Sequence, residues 1–231
     1  MTRGKNISGD FIFKENANGT LEFVGDFEAL YRHDPDPWGQ LGGDERMGAY
    51  YAASRQNIAR LLSAHLAGGT VLEVGCGFGQ VCATLAAQLP QHIFVGADIS
   101  DTAVQKAQHN FPALHFFQGD VTHKNFSGSQ PHYDAVIINQ VLWYVLEGFD
   151  GLLNNMVRMV KPQGVLMFCN AFMRTPQRYG KDKIDGFDGL VRALVNHACA
   201  QHFQLIDARL THDETLLYDD GYVVMRRVER G

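Results

Sequence analysis

No stretch of this 231-residue chain approaches the apolar length needed to cross a bilayer, and Met1-Thr2-Arg3-Gly4-Lys5 leads into polar residues rather than a signal-peptide core. These absences predict a cytoplasmic protein without a membrane partner. Cysteine is scarce: Cys76, Cys82, Cys169 and Cys199 show no paired metal spacing and read as reduced thiols. The ten histidines are scattered, without His-x-x-x-His pairing, so no metal is expected. Basic excess is missing too. Lys and Arg total 20 against 25 acids, are dispersed, and leave a formal charge of -5, which argues against a nucleic-acid partner. Internal repeats and low-complexity tracts are absent.

What is present suits one soluble α/β domain. With 45% hydrophobic and 19% charged residues, the chain can bury one substantial core, and no linker is needed. Val71-Leu72-Glu73-Val74 reads as a buried parallel strand that turns through Gly75-Cys76-Gly77-Phe78-Gly79 into a helix over about 80–88. Such a turn admits a nucleoside ligand, because glycines let it approach the backbone and the helix start offers unpaired N–H groups. A dinucleotide fingerprint would need glycine at position 80, where the chain has Gln80. Its glycines stand as GxGxG behind the acidic Glu73 instead.

Further strands follow in order. His92-Ile93-Phe94-Val95-Gly96-Ala97-Asp98 ends on an acid placed to accept from vicinal ribose hydroxyls, with Ile99 beside it against a base; Ser100 and Asp101 cap the next helix. Leu114 to Gln118 closes with Gly119-Asp120-Val121, where Asp120 reads either as an acceptor for an adenine amino group or as a turn aspartate. Tyr133 to Asn139 is nearly continuous in apolar residues, so residues 139–144 beyond its carboxyl end should flank the ligand's reactive part. A helix over about 148–160, a Lys161-Pro162-Gln163-Gly164 turn, a strand at 165–169, a helix around 190–202 and strands at 203–207 and 222–227 complete the pattern.

Taken together, the GxGxG turn, the acids at 73, 98 and 120, and the Pro-Gly turn before strand five resemble class I S-adenosylmethionine-dependent methyltransferases from about Thr70 onward. The resemblance implies a Rossmann-like, doubly wound, seven-stranded, mostly parallel sheet with an antiparallel last strand, plus an N-terminal helical cap. Residues 1–69 would form that cap and first helix, packed on a core at 70–231. It implies S-adenosyl-L-methionine as cofactor, bound by Trp38, Arg55, Glu73, Gly75, Cys76, Gly77, Gly79, Asp98, Ile99, Asp120, Val121, Asn139 and Gln140. Cys76 contributes mainly backbone in that setting. The donor carries a carboxylate, an ammonium and a sulfonium, so helix-start N–H groups suit the first and Glu73 the second.

The first 69 residues should hold substrate information. His33-Asp34-Pro35-Asp36-Pro37-Trp38-Gly39 is a stiff turn that fixes Trp38, which either faces a sulfonium or staples the segment to the core. Tyr50, Tyr51 and Arg55 begin an amphipathic helix reaching about Leu66, with Arg55 either pairing a carboxylate or lying exposed. The Asp-Pro-Trp turn, these residues and Gln140-Val141-Leu142-Trp143-Tyr144-Val145 are similar to nodulation-type sugar N-methyltransferases, which implies an amino-sugar acceptor. That family commonly has glutamate where Gln140 stands, so the methylated atom is left open.

The expected enzyme is therefore a methyltransferase of small-molecule biosynthesis acting on an amino sugar or another O or N acceptor, as monomer or homodimer. A protein or nucleic-acid methyltransferase, a nicotinamide reductase and a non-catalytic nucleoside-binding module are the alternatives. Candidate catalytic groups are Tyr144, His123 and His33, each with a bland counterpart as wall, loop residue or turn cap. The polar stretch 170–188 carries Arg174, Arg178, Tyr179, Lys181 and Lys183, so the acceptor is expected to be anionic unless Asp182, Asp185 and Asp188 neutralise that loop.

Overall fold

The computed structural model describes residues 7–40, 45–126 and 133–228, with side chains from Asp10 onward. The start of the chain at Met1 to Lys5 lies outside them. Seven strands form one sheet: β3 (Gly69–Val74), β4 (His92–Asp98), β5 (His115–Gln118), β6 (Tyr133–Asn139), β7 (Val160–Phe172), β8 (Phe203–Thr211) and β9 (Asp219–Arg227). Their spatial order is β5-β4-β3-β6-β7-β9-β8. Pairings from β5 to β7 are parallel, and β9 runs antiparallel to both neighbours. The strand order reverses at β3, so the carboxyl ends of β3 and β4 on one side and β6 on the other open a crevice for a ligand.

Apolar residues on successive positions explain why these strands are central. Val71 packs on one face with Phe94, Ala135 and Val165, while Leu72 packs on the other with Val95, Val136 and Leu166. The first face is covered by α3 (Glu45–His65), α4 (Gln80–Gln88) and α5 (Asp101–Asn110) through Ile58, Leu62, Leu85 and Val104. The second is covered by α6 (Phe149–Met159) and α7 (Gly186–Asn196) through Leu152, Met156 and Leu190. Each fully buried aliphatic side chain contributes roughly 1.5–3 kcal/mol, and both faces being dry is what permits parallel pairing.

The N-terminal part differs from an all-helical cap. Between α1 (Ile7–Ile12) and α2 (Phe27–His33) lies an antiparallel hairpin, β1 (Phe13–Glu15) with β2 (Leu21–Phe23). Its turn closes with Gly19 at φ 80 and Asn16 donating its N–H to the Thr20 carbonyl at 2.8 Å. Helix α2 is pinned to α5: the Glu28 carboxylate accepts from Ser100 Oγ, Thr102 Oγ1 and the Thr102 amide, while Lys106 Nζ donates to the Tyr31 carbonyl. Those bonds hold Glu28 down to about pKa 2.

Candidate functional site

The turn after β3 is tied down by backbone bonds. Amides of Gly75 and Cys76 both donate to the Ala97 carbonyl of β4, at 2.8 and 3.0 Å. The Gly77 amide donates to Asp98 Oδ2 and the Ser100 amide to Asp98 Oδ1, each at 2.9 Å. Glycine is required at two points that line the cavity. At Gly75, φ is 73° and a Cβ would lie 2.2 Å from Val141 Cγ2; at Gly77, φ is 52° and a Cβ would stand 3.0 Å from the Tyr31 hydroxyl. Gly79 plays another part: it packs against Phe111 and Phe116 as the N-cap of α4 and does not line the cavity.

Two buried acids face each other across this loop. Burial raises Asp98 to about 6 and Glu73 to about 7, each opposed by hydrogen bonds to the carboxylate. For Glu73 those come from Cys82 Sγ at 3.1 Å and Asn139 Nδ2 at 3.3 Å. Asn139 Oδ1 is buried without a partner among the described residues. Two acids, an unfilled amide oxygen and glycine turns that a Cβ would obstruct fit an ammonium and a ribose, as the expected donor carries. Arg55 is half-buried and feels the Glu73 carboxylate, yet it does not line the cavity. Burial and the nearby acids push the Cys76 thiol well up, so it stays protonated and is no nucleophile.

The crevice opens into a cavity of about 690 Å³, a size that holds an ordinary cofactor with room beside it. Glu73, Gly75, Cys76 and Gly77 line one part, with Asp98, Ile99, Asp120 and Val121 along the next. Asp120 is also the turn residue the sequence allowed, its Oδ1 accepting from the Thr122 amide and hydroxyl at 2.8 and 2.7 Å. Asn139, Gln140, Tyr144 and Trp38 line the remainder. The indole of Trp38 donates to the Tyr31 hydroxyl at 2.9 Å, and its ring lies 5.7 Å from that of Tyr144.

Several expected residues sit elsewhere or are engaged. His33 packs 5.5 Å from Phe11 at the end of α2, and His123 Nδ1 accepts from the Asn125 amide in a surface turn; neither lines the cavity. Gln140 lines it, but its amide is engaged with Tyr50 and Ala171, at a backbone φ of 57°. The cations after β7 face their own chain. Arg174 pairs with Asp219 at 2.7 Å, Arg178 with Glu15 at 2.8 Å, Lys181 with Asp185 at 3.9 Å, and Lys183 with Glu147. Phe13, Phe23, Phe27 and Tyr31 line the cavity without having been expected there, and Tyr50, singled out at the start of α3, lines it too. The Asn18-Gly19 pair between two Phe-bearing runs was the available hairpin signal.

Among the described residues the lining carries Asp36, Glu73, Asp98, Asp120 and Glu147 but no Lys, Arg or His. No group of three or more His, Cys, Asp and Glu among them could hold a metal, and no helix is long and apolar enough to cross a membrane.

Comparison with known proteins adds an independent line. The family described as "Methyltransferase domain" matches residues 72–166, which span β3 to β7 and the glycine turn. A fatty-acid O-methyltransferase of Mycolicibacterium smegmatis is 27% identical over 143 residues, 61% of this chain and 50% of that protein. The chain spans half the length, or less, of the curated relatives it matches first. Among solved structures, the N-methyltransferase NodS of Bradyrhizobium japonicum with S-adenosyl-L-homocysteine superposes at a TM-score of 0.65, with 17% identity, over 87% of this chain and 98% of that one. Magnesium protoporphyrin IX methyltransferase of Synechocystis with bound S-adenosylmethionine gives 0.62, with 19% identity, over 87% and 95%.

Proposed function

We propose that this chain, whose residues 72–166 match the methyltransferase-domain family and whose fold superposes on S-adenosylmethionine-dependent methyltransferases, transfers a methyl group from S-adenosyl-L-methionine to a small-molecule acceptor. The observation that carries this reading is the pair of buried acids, Glu73 and Asp98, bracketing a glycine turn at the mouth of the crevice. When bound, the donor supplies a methyl already activated on a sulfonium. Asp98 would hold the ribose hydroxyls; Glu73 and Asn139 Oδ1 would hold the ammonium. Ile99 and Val121 would flank the base, whose amino group lies within the reach of Asp120. The chain's remaining work is alignment and exclusion of water, which can supply much of a transfer barrier. Tyr144 and Trp38 form the wall where the acceptor would enter.

An amino sugar is one acceptor compatible with this arrangement. An anionic acceptor finds less support, since Arg174, Arg178, Lys181 and Lys183 are all paired with acids and none lines the cavity. Calorimetric titration with S-adenosylhomocysteine and with NAD tests the donor site. Micromolar binding of the first and none of the second is expected. Protein that binds neither, or only NAD, would end this reading.

A further inference from the structure

Resting on the donor site just described, we propose that the other half of the cavity is an aromatic box that selects an acceptor by a positively charged amine on an apolar frame. The ring of Tyr144 has Phe27 at 5.2 Å, Trp38 at 5.7 Å, Phe13 at 6.2 Å and Phe23 at 6.4 Å, and all five residues line the cavity. They come from β1, β2, α2, the proline turn and the segment after β6, so widely separated stretches converge on one spot. Trp38 is fixed by its bond to Tyr31, which keeps the indole in place before any ligand arrives.

Ring faces carry negative quadrupole potential and attract a cation, more strongly where water is excluded. The lining adds only carboxylates. Glu147 pairs with Lys183 and burial raises Glu73 to about 7 and Asp98 to about 6, so the negative field comes from Asp36, Asp120 and the ionised fraction of those two. A carboxylate acceptor would meet that field without a single Lys, Arg or His among the described lining residues to receive it. A hydroxyl acceptor would find no Lys or His base in the described lining, the Tyr31, Tyr50, Tyr51 and Tyr144 hydroxyls there are pushed up by burial, and the acids Glu73 and Asp98 are taken by the donor.

An amine avoids both difficulties. Its nitrogen lone pair forms the new C–N bond as the C–S bond breaks, and the sulfur leaves as a neutral thioether. The positive charge passes to nitrogen, where rings and acids stabilise it, and any surplus N–H proton departs to solvent. Cationic product and protonated substrate are thus both accommodated, and the neutral fraction reacts.

The test uses the full chain saturated with S-adenosylhomocysteine, titrated by calorimetry with benzyltrimethylammonium, 2-phenylethanol and phenylacetate. The cation should bind at least tenfold more tightly than the alcohol, with phenylacetate undetected. Trp38→Phe, which keeps an aromatic ring but loses the bond to Tyr31 and the larger indole face, should weaken the cation by about threefold or more and the alcohol by less. Equal or stronger binding of the alcohol or carboxylate, or binding of none of the three, would overturn the box while S-adenosylhomocysteine binding still stood. Loss of S-adenosylhomocysteine binding itself would instead break the methyltransferase reading. In parallel, methyl transfer to phenethylamine but not to 2-phenylethanol is expected, and the reverse preference would refute the proposal.

Discussion

The side-chain amide of Gln140 donates to the Tyr50 hydroxyl at 2.7 Å and accepts from the Ala171 amide at 2.9 Å, joining the end of β6 to α3 and β7. Tyr50 in turn donates to Asp220 Oδ1 at 3.1 Å, and Asn57 donates to Asp220 Oδ2 at 2.7 Å. Gln140 therefore holds three elements in register, at the strained φ of 57°. Gln140→Ala removes two bonds and leaves a buried hydroxyl short of a donor, so a loss of about 2–4 kcal/mol is expected. Urea unfolding of the variant measures it. A change within about 0.5 kcal/mol would show that the network contributes nothing to folding.

Glu73 and Asp98 make stability and donor binding respond to pH in opposite directions. Both have folded pKa values raised by burial, to about 7 and about 6 from 4.5 and 3.8. A raised acid contributes stability that is fully present below its unfolded pKa and lost as pH rises through the folded value. Acids held low, such as Glu28, are already ionised throughout pH 5.5–8. Over that window these two acids lower the melting temperature of the free protein, opposed by His65 and His92, whose imidazoles burial pulls down, so Glu73→Gln should lessen any fall. The increment given by S-adenosylhomocysteine should grow, because its ammonium meets an ionised Glu73. A ligand increment that is flat from pH 5.5 to 8 would contradict this assignment.

Asp98→Asn keeps the size of the side chain but not its charge. Hydrogen bonds to a charged group contribute about 1.5–3 kcal/mol, so affinity for S-adenosylhomocysteine should fall roughly 10- to 150-fold. Gly77→Val should do at least as much, since it forces a branched residue to φ 52° with its Cβ against the Tyr31 hydroxyl. Donor affinity within twofold of the parent in both variants would remove these residues from the site.

How much of this was legible depended on burial. Strands at 92–98 and 133–139 were readable to the residue, because doubly covered parallel strands demand unbroken apolar runs such as Val136-Ile137-Ile138. The glycine turn was legible because positive φ at Gly75, Gly77 and Gly79 leaves few other residues possible. The hairpin was not: three-residue strands with Lys14, Glu15 and Glu22 facing solvent lack a periodic signal, and Phe13 and Phe23 gain meaning only beside Tyr144. Gln140 follows β6 and lines the cavity, yet its partners, Tyr50 and Ala171, stand 90 and 31 residues away, beyond the reach of any local pattern. Likewise, no local pattern tells Arg174 that Asp219 will face it.

Glu28 acts as a cap supplied from a neighbouring helix. Its carboxylate takes three bonds at the start of α5, one of them from the Thr102 amide that would otherwise face the helix end unpaired. Glu28→Gln should cost about 1 kcal/mol near neutrality, or roughly 2–4 °C for a chain of this size. Since its pKa is lowered to about 2 from 4.5, the contribution is present above 4.5 and lost as pH falls through 2. The difference between parent and variant should thus narrow on acidification. A difference that widens below pH 4 would assign the effect to another group.

The Arg178–Glu15 pair joins the hairpin to the segment after β7, and Arg178 also donates to the Gly19 carbonyl at 2.9 Å. Tyr179 reinforces the join, its ring 4.9 Å from Phe13 and 5.9 Å from Phe23. Both partners of the ion pair are about half exposed, so it contributes at most about 1 kcal/mol to stability. Its effect should therefore show in position rather than in folding. Arg178→Ala is expected to leave melting within about 4 °C of the parent and S-adenosylhomocysteine affinity unchanged. Limited proteolysis at the 16–20 turn should quicken, because freeing the hairpin tip exposes it. Phe13 and Phe23 would then be held less firmly over the cavity, raising the KM of an accepted substrate severalfold with little change in kcat, as expected when uniform binding is lost. If donor affinity falls in step with the acceptor's, the hairpin organises the whole crevice rather than its outer half.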